Sequence, residues 1–421
     1  MKALSALRST ALVTVAVLLA ACSREAADDN AGAPARVEYG SYRAALVVPG
    51  GDLPFGLELA REGDRDVAYL VNGPERVRVD EVTIAGDHAT LLMPGNGNKL
   101  MVQASADGLE GEAVLLRPKG VLKTWRLLAT RDANYRFFPT PAAQNSDFAG
   151  RWAMTFTDEK GKQDTAIGVF TQSGHEVVGT LLRASGDDRY IAGEANGDAL
   201  FLSRFDGGSA QLYRARLNDR GELEGEFWTG GGAHLSFVAR RDDKAALEDP
   251  ATLSKLKPGA TRLEFTFPDV DGKPVSMSDD RFRGKVVIVT IGGTWCPNCH
   301  DEVMFLGPFL ADRRARGLEA IGLMFEYVGD FSQAAALVRR FDQRYKGGFP
   351  LLVAGTSDKD EVVAKLPVLQ NLYAYPTTLV IDRKGNIRHV HAGFSGPATG
   401  AAYESFKSEF TALIDGLLAE G

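Results

Sequence analysis

The chain has 421 residues, a formal charge of −7, 46 glycines and only three cysteines. Such a length implies two or three domains, and the absence of any basic block or stripe excludes nucleic acid as a natural partner. Three cysteines are too few for a structural disulfide framework and suit one dedicated redox pair in an oxidising compartment.

At the N-terminus, Lys2 and Arg8 precede an apolar run from Ala11 to Ala20. The run is too short for a convincing transmembrane helix and has the layout of an export signal. It ends in Leu19-Ala20-Ala21-Cys22, which resembles the lipobox of bacterial lipoproteins, where the cysteine is acylated and becomes the first mature residue. The alternative is a small-residue cleavage site before an ordinary cysteine. The resemblance implies a signal peptide over 1–21, lipidation at Cys22 and a membrane partner engaged through the lipid. Several acyl chains anchor a protein stably where one does not. The body is then expected in the cell envelope, lipid-anchored and facing the periplasm. Ser23 in place of Asp after the anchor favours the outer over the inner membrane by the same analogy. Loss of Lys2 and Arg8 takes the charge from −7 to −9. Residues 22–36, rich in Ala, Asp, Asn, Gly and Pro without periodicity, read as a flexible tether.

Residues 37–241 read as all-β with a weak internal duplication, repeat 1 over 37–135 and repeat 2 over 148–241. Leu109-Glu110-Gly111-Glu112 recurs as Leu223-Glu224-Gly225-Glu226, and Gly86-Asp87 recurs as Gly197-Asp198. Tyr42-Arg43-Ala44 faces Arg151-Trp152-Ala153, and Ala129 faces Ala239. Two unrelated β segments sharing turn motifs are the alternative. The second copy predicts eight short strands near 150–157, 163–171, 175–183, 188–194, 196–204, 208–217, 221–228 and 233–240. Turns such as Asn196-Gly197-Asp198 suit an antiparallel meander that curls into a barrel or sandwich. Trp125, Trp152, Phe227 and Trp228 are expected to fill barrel interiors.

A linker over 242–259 carries Pro250 and Pro258 and breaks the β pattern. From 260 to 421 strands alternate with helices: a strand at 262–267, the buried run Val286–Ile291, a helix after the cysteines and a strand at 319–325. A helix at 334–345, a short strand at 350–353, a hairpin of 377–381 with 387–391, and an amphipathic helix at 403–418 complete an α/β layer structure.

The chemistry concentrates in Trp295-Cys296-Pro297-Asn298-Cys299, which follows the buried strand and opens a helix. Two thiols three residues apart on a first helical turn can close a short disulfide, and the helix N-terminus favours a thiolate on the first. Together with Phe267-Pro268-Asp269-Val270-Asp271-Gly272-Lys273, Phe282-Arg283-Gly284-Lys285-Val286-Val287 and Tyr375-Pro376-Thr377-Thr378-Leu379-Val380-Ile381-Asp382, the C-terminal region resembles the thioredoxin fold. Within that fold it is similar to the TlpA-like or ResA-like thiol–disulfide oxidoreductases, over about Lys257 to Ala419.

The resemblance implies Cys296, the more exposed sulfur, as the attacking thiol and Cys299 as the resolving thiol of a redox-active disulfide. Trp295 limits solvent access. Pro297 and Asn298 set the redox poise through the helix N-terminus and hydrogen bonding to the thiolate. Pro376 aligns with the family's cis-proline and turns the Tyr375 backbone towards the cysteines. Glu302 matches a glutamate that influences proton transfer to the buried thiol; a solvated helix carboxylate is its alternative. His300 and Asp301 are expected on the surface. His389 and His391 share a strand face and are read as surface histidines rather than metal ligands, and no metal or cofactor is called for.

The reading that results is an extracytoplasmic, membrane-anchored oxidoreductase, a reductase of protein disulfides that an upstream thiol donor recharges. By resemblance its clients would be cytochrome c precursors in maturation or misoxidised envelope proteins, an antioxidant role. A ligand-binding or redox-sensing lipoprotein whose β domains carry the function is the alternative. A peroxidase is disfavoured, because Gly293 stands where a Thr-x-x-Cys motif needs its threonine.

Overall fold

The β region divides where its turn residues predict, because alternating apolar residues can bury only one face of each strand. In Gly51–Glu62, for example, Phe55, Leu57 and Leu59 are buried while the intervening Gly56 and Glu58 are not. The computed structural model describes residues 36–420; the expected signal peptide, Cys22 and most of the tether lie outside the described residues.

The first β unit is a nine-stranded antiparallel sheet in which Val121–Arg131 returns to pair with Gly40–Val48. Its edges are Glu75–Val79 and Glu81–Ala85, so the sheet is curled but open. The second unit closes. Its eight long strands, from Gly150–Asp158 to His234–Arg241, form a ring completed by pairing of Gln163–Ser173 with Glu176–Arg183, with the two-residue strand Gly186–Asp187 added at one side.

The expected pair of separate barrels is corrected in one respect: the two units share a core. Phe205, Ala210 and Leu212 of the second lie in the hydrophobic cluster of the first, with the Phe205 and Phe55 rings 4.8 Å apart. Trp152 and Phe227 fill the second ring as expected. Trp125 and Trp228 do not. The Trp125 indole donates to the Gly230 carbonyl of the second unit at 3.0 Å, and Trp228 lies against Gly50 of the first, where a side-chain carbon would overlap its ring. An indole carries a polar handle that needs a partner when buried, and for Trp125 the seam supplies it in the Gly230 carbonyl.

Residues 242–259 are also better packed than a linker. Lys255–Leu256 pairs with Leu369–Asn371, and the buried Ser254 hydroxyl accepts from the Tyr373 amide and meets the Thr377 hydroxyl. The expected strand at 262–267 is confined to Thr266–Pro268.

In the C-terminal domain the elements are β1 (Val286–Gly292), α1 (Pro297–Ala311), β2 (Leu318–Glu326), α2 (Phe331–Tyr345) and β3 (Leu351–Thr356). They continue as α3 (Lys359–Lys365), β4 (Thr377–Ile381), β5 (Ile387–Ala392) and α4 (Ala401–Ala419). The sheet order is β3-β2-β1-β4-β5, parallel between β1, β2 and β3 and antiparallel at β4 and β5. Helices α1, α2 and α4 bury their apolar faces on one side, and α3 with residues 263–282 covers the other. The short α3 is the helix that hydrophobic periodicity missed, with seven residues and an Asp358 cap.

The first β unit also grips α2, through Arg340 to Glu81 at 2.8 Å and Arg344 to Asp80 at 2.7 Å. Between the β units, the Asn72 side chain behaves as a strand backbone: its amide donates to the Phe205 carbonyl at 3.0 Å and its oxygen accepts from the Phe205 N–H at 3.1 Å. Removing it in Asn72→Ala leaves both buried backbone groups without a partner, a loss of about 1–3 kcal/mol for each. Calorimetry should show the thermal transition of the β units lowered by several degrees, whereas a surface substitution such as Glu176→Ala should leave it in place.

Candidate active site

Strand β1 is buried along its whole length and delivers Gly293-Thr294-Trp295 to the start of α1. Cys296 is the N-cap of that helix and Pro297, with no N–H to leave unpaired, its first residue. The Cys296–Cys299 disulfide joins two Cα atoms 5.3 Å apart, and the Cys299 N–H points at the Cys296 sulfur from 3.3 Å. In the reduced form that N–H and the helix N-terminus favour a thiolate on Cys296. Gly292 makes room for the inner sulfur, since a side-chain carbon there would lie 3.2 Å from Cys299 Sγ.

Across the site the Tyr375–Pro376 peptide is cis, and the Tyr375 carbonyl oxygen lies 3.5 Å from Cys296 Sγ. Trp295 stacks on Tyr327 with centroids 4.5 Å apart and meets the Tyr375 ring edge-on at 5.1 Å. Its indole N–H donates to the Phe325 carbonyl at 2.9 Å. The Asn298 amide donates away from the sulfurs, to the Phe394 carbonyl at 3.0 Å. Pro297 and Asn298 are half-buried.

Two expectations fail here. Cys296 is not an exposed residue: it and Cys299 are each 3% exposed. His300 and Asp301 are not on the surface either; both are buried. Tyr345 and Phe341 of α2 cover His300, whereas Arg189 and Gly186 of the second β unit lie against Asp301 and Asn298.

Each polar residue of His300-Asp301-Glu302 consequently meets a different neighbour. The His300 ring contacts the Thr294 carbonyl at 2.7 Å and the Tyr345 hydroxyl at 2.8 Å, and burial pushes its pKa down to about 4. Asp301 faces Arg189 of the second β unit at 3.4 Å. Burial raises its carboxyl while Arg189 opposes the rise. Glu302 points at the sheet, where it accepts from the hydroxyls of Thr290 on β1 and Thr378 on β4. It is a buried carboxylate, pushed up to about 7 by desolvation against those two hydrogen bonds. His389 and His391 stack on β5 with centroids 6.0 Å apart, and His391 lies against Phe406; no grouping of metal-ligating side chains occurs among the described residues.

Sequence reasoning missed Glu326. At the end of β2 it accepts from both the Thr294 N–H at 2.9 Å and the Thr294 hydroxyl at 2.7 Å, and so fixes the turn that leads into Cys296. Burial pushes it up to about 7 as well. The only trace in the sequence is an acidic residue closing an otherwise apolar strand, Leu318–Glu326.

Residues 258–390 match the AhpC/TSA family. Among curated relatives, the thiol-disulfide oxidoreductase ResA of Halalkalibacterium halodurans is 27% identical over 39% of this chain and 81% of its own. ResA of Bacillus thuringiensis is 25% identical over 32% of this chain and 68% of its own. The C-terminal domain is a TlpA/ResA-like thiol–disulfide oxidoreductase domain. Thioredoxin-like protein YneN of Bacillus subtilis, at 25% identity over 33% of this chain and 73% of its own, is a further relative. A solved putative thiol:disulfide interchange protein DsbE from Chlorobium tepidum is 21% identical, with a TM-score of 0.29, over 38% of this chain and 99% of that one.

Glu302 and Glu326 give the TlpA/ResA-like domain a pH signature. Their folded pKa values lie above the ordinary 4.5, so the folded chain holds these protons more tightly than the unfolded one. The associated stability is complete below about pH 4.5 and is lost as pH rises through about 7, on the order of 3 kcal/mol for each carboxyl. Thermal unfolding of the oxidised chain followed from pH 5 to 8 should show that loss, and Glu302→Gln should remove its share of the slope relative to the parent.

Proposed function

We propose that the chain is an envelope-tethered, extracytoplasmic reductase of protein disulfides that works through the Cys296–Cys299 dithiol. The observation that carries this reading is the Cys296 sulfur, held at the start of α1 between the Cys299 N–H and the Tyr375 carbonyl. A helix start and a backbone N–H stabilise a thiolate, while the Tyr375 carbonyl, in the bend that leads into β4, is a backbone group with which a client strand can pair.

The Cys296 thiolate attacks one sulfur of a client disulfide, forms the mixed disulfide and expels the other client sulfur as a thiolate. Cys299, once deprotonated, attacks the Cys296 sulfur, closes the internal disulfide and releases the second client thiol. Two electrons pass from the dithiol to the client, and an upstream thiol donor returns them. Glu302 lies one helical turn from Cys299 and, with its pKa near neutrality, can accept the Cys299 proton. Pro376 and Tyr375 position the client backbone, and Trp295 with Tyr327 shields the pair. Oxidised cytochrome c precursors and misoxidised envelope proteins are the client classes that fit.

The lipobox-like Leu19-Ala20-Ala21-Cys22 supports lipidation at Cys22 and attachment to a membrane, with Ser23 favouring the outer one. The β region is proposed to be an internal duplication. Tyr42 pairs with Arg131 and Trp152 with Arg241 at corresponding places in the two units. The Tyr42 hydroxyl and the Trp152 indole each donate to the carbonyl four residues earlier, Glu38 and Phe148. The ligand-binding alternative finds little support, because the cavity inside the second ring is about 10 Å³, lined by side chains such as Phe170, Tyr213 and Phe237. That is room for one water at most.

The reduction potential of the Cys296–Cys299 couple tests the direction of electron flow. A value near or below about −250 mV is expected for a reductant, and one near about −120 mV would mark an oxidant and overturn the reading. Cys299→Ser should trap a mixed disulfide with clients, visible on non-reducing gels, and Cys296→Ser should abolish exchange.

A further inference from the structure

The proposed function requires the Cys296 sulfur to meet an external disulfide, and the structure closes the way to it. Both sulfurs sit in residues 3% exposed. The second β unit reaches the redox motif on two sides, each time with a glycine. Gly208 faces the Trp295 carbonyl, and Gly186 presses on Asn298, where a side-chain carbon would lie 3.0 Å from the Asn298 amide nitrogen and 2.9 Å from the Phe394 carbonyl. At φ +128 Gly186 also has a backbone that other residues rarely adopt. The loop is held beyond the motif as well, since the Asp187 carboxylate accepts from the Gly396 N–H. The turn at Gly207–Gly208 is shaped by Asp206, which accepts from the Gly208 and Ser209 amides at 2.9 and 2.7 Å.

Arg189 ties this arrangement together. Its guanidinium lies 2.8 Å from Glu75 of the first β unit and 3.4 Å from Asp301 on α1, the helix that carries both cysteines. All three side chains are nearly buried. A buried ion pair gains little over an apolar contact, but loss of one partner costs several kcal/mol. Such a bridge therefore selects one arrangement of three parts more than it adds stability. Interfaces between domains of one chain are more polar than permanent ones, and the charge pairs here contrast with the apolar seam between the β units themselves.

We propose, resting on the oxidoreductase reading above, that the second β unit decides which disulfides reach Cys296. Gly186–Arg189 and Gly207–Gly208 form a specificity-determining cover over the dithiol, and the Glu75–Arg189–Asp301 bridge holds it down. A client forms the mixed disulfide only with the fraction of molecules in which the cover has lifted, so the exchange rate scales with that fraction. Arg189 is a positioning residue: it touches neither sulfur and acts through α1 and the loop that bears it.

The experiment follows alkylation of Cys296 by iodoacetamide in the reduced full chain, alongside its exchange with oxidised glutathione. In the parent chain alkylation should be at least tenfold slower than in a short peptide carrying Trp-Cys-Pro-Asn-Cys, compared at equal thiolate content. Arg189→Met and Glu75→Gln should each raise the alkylation and exchange rates about tenfold, while the equilibrium constant with glutathione stays within about twofold. A merely structural role predicts a different pattern, with lower rates or a shifted equilibrium. The cover is overturned if the parent alkylates as fast as the peptide, a result that needs no variant to fold. It is equally overturned if the variants, folded by circular dichroism, react no faster than the parent. If no form shows a reversible glutathione couple, the oxidoreductase reading fails and the cover with it; an intact couple with unchanged rates removes the cover alone.

Discussion

Five successive residues of helix α1, Cys299 to Val303, are all buried, and the rest of the molecule is arranged around that constraint. A helix on the outside of a sheet normally shows one polar face to water. Here the successive residues His300, Asp301 and Glu302 are polar and buried together, and each must find its partner on a different element. Tyr345 of α2 meets the first, Arg189 of the second β unit the second, and the threonines of β1 and β4 the third. Buried polar groups without partners cost too much to persist, so the sheet, α2 and the β region each supply a partner to the helix that carries the redox motif. The β region is consequently part of the active-site architecture rather than a spacer on a stalk.

The same enclosure sets the electrostatics. Glu302 and Glu326 have threonine hydroxyls and a backbone amide for partners, and no cation, so desolvation dominates and both hold protons near neutral pH. Asp301 differs because Arg189 faces it. A dithiol centre thus sits among carboxyls that are close to neutral on one side and a charge bridge on the other. Below about pH 7 neither carboxyl sets a full negative charge against a thiolate on Cys296.

Much of this was legible in the sequence where the signal is local. The buried run Val286–Ile291 and the Cys-x-x-Cys at a helix start follow from strand patterning and a short motif, and the Tyr375-Pro376 approach to it from the family resemblance. The eight strands of the second ring follow from alternation and turn residues, and each predicted segment overlaps an observed strand. What the sequence hid is what depends on contacts between distant segments. His300 and Asp301 read as surface residues because polarity predicts exposure unless a partner is known, and Arg189 is more than a hundred residues away. Trp125 and Trp228 were placed inside rings because large aromatics belong in cores, yet the core they complete lies at a seam. Glu326 carried almost no signal, since a strand-end carboxylate is ordinarily solvated.

The shared core of the β units has a consequence for how the protein is made. A chain emerges from the ribosome N-terminus first, and domains generally fold as they appear. The first unit cannot do so fully, because Phe205, Ala210 and Leu212, which line its interior, come from the middle of the second. Until about residue 212 is free, the open sheet presents an uncovered apolar face, a surface given to wrong association. Two units that finish each other cannot be completed in sequence. Their shared core can close only after both have been made.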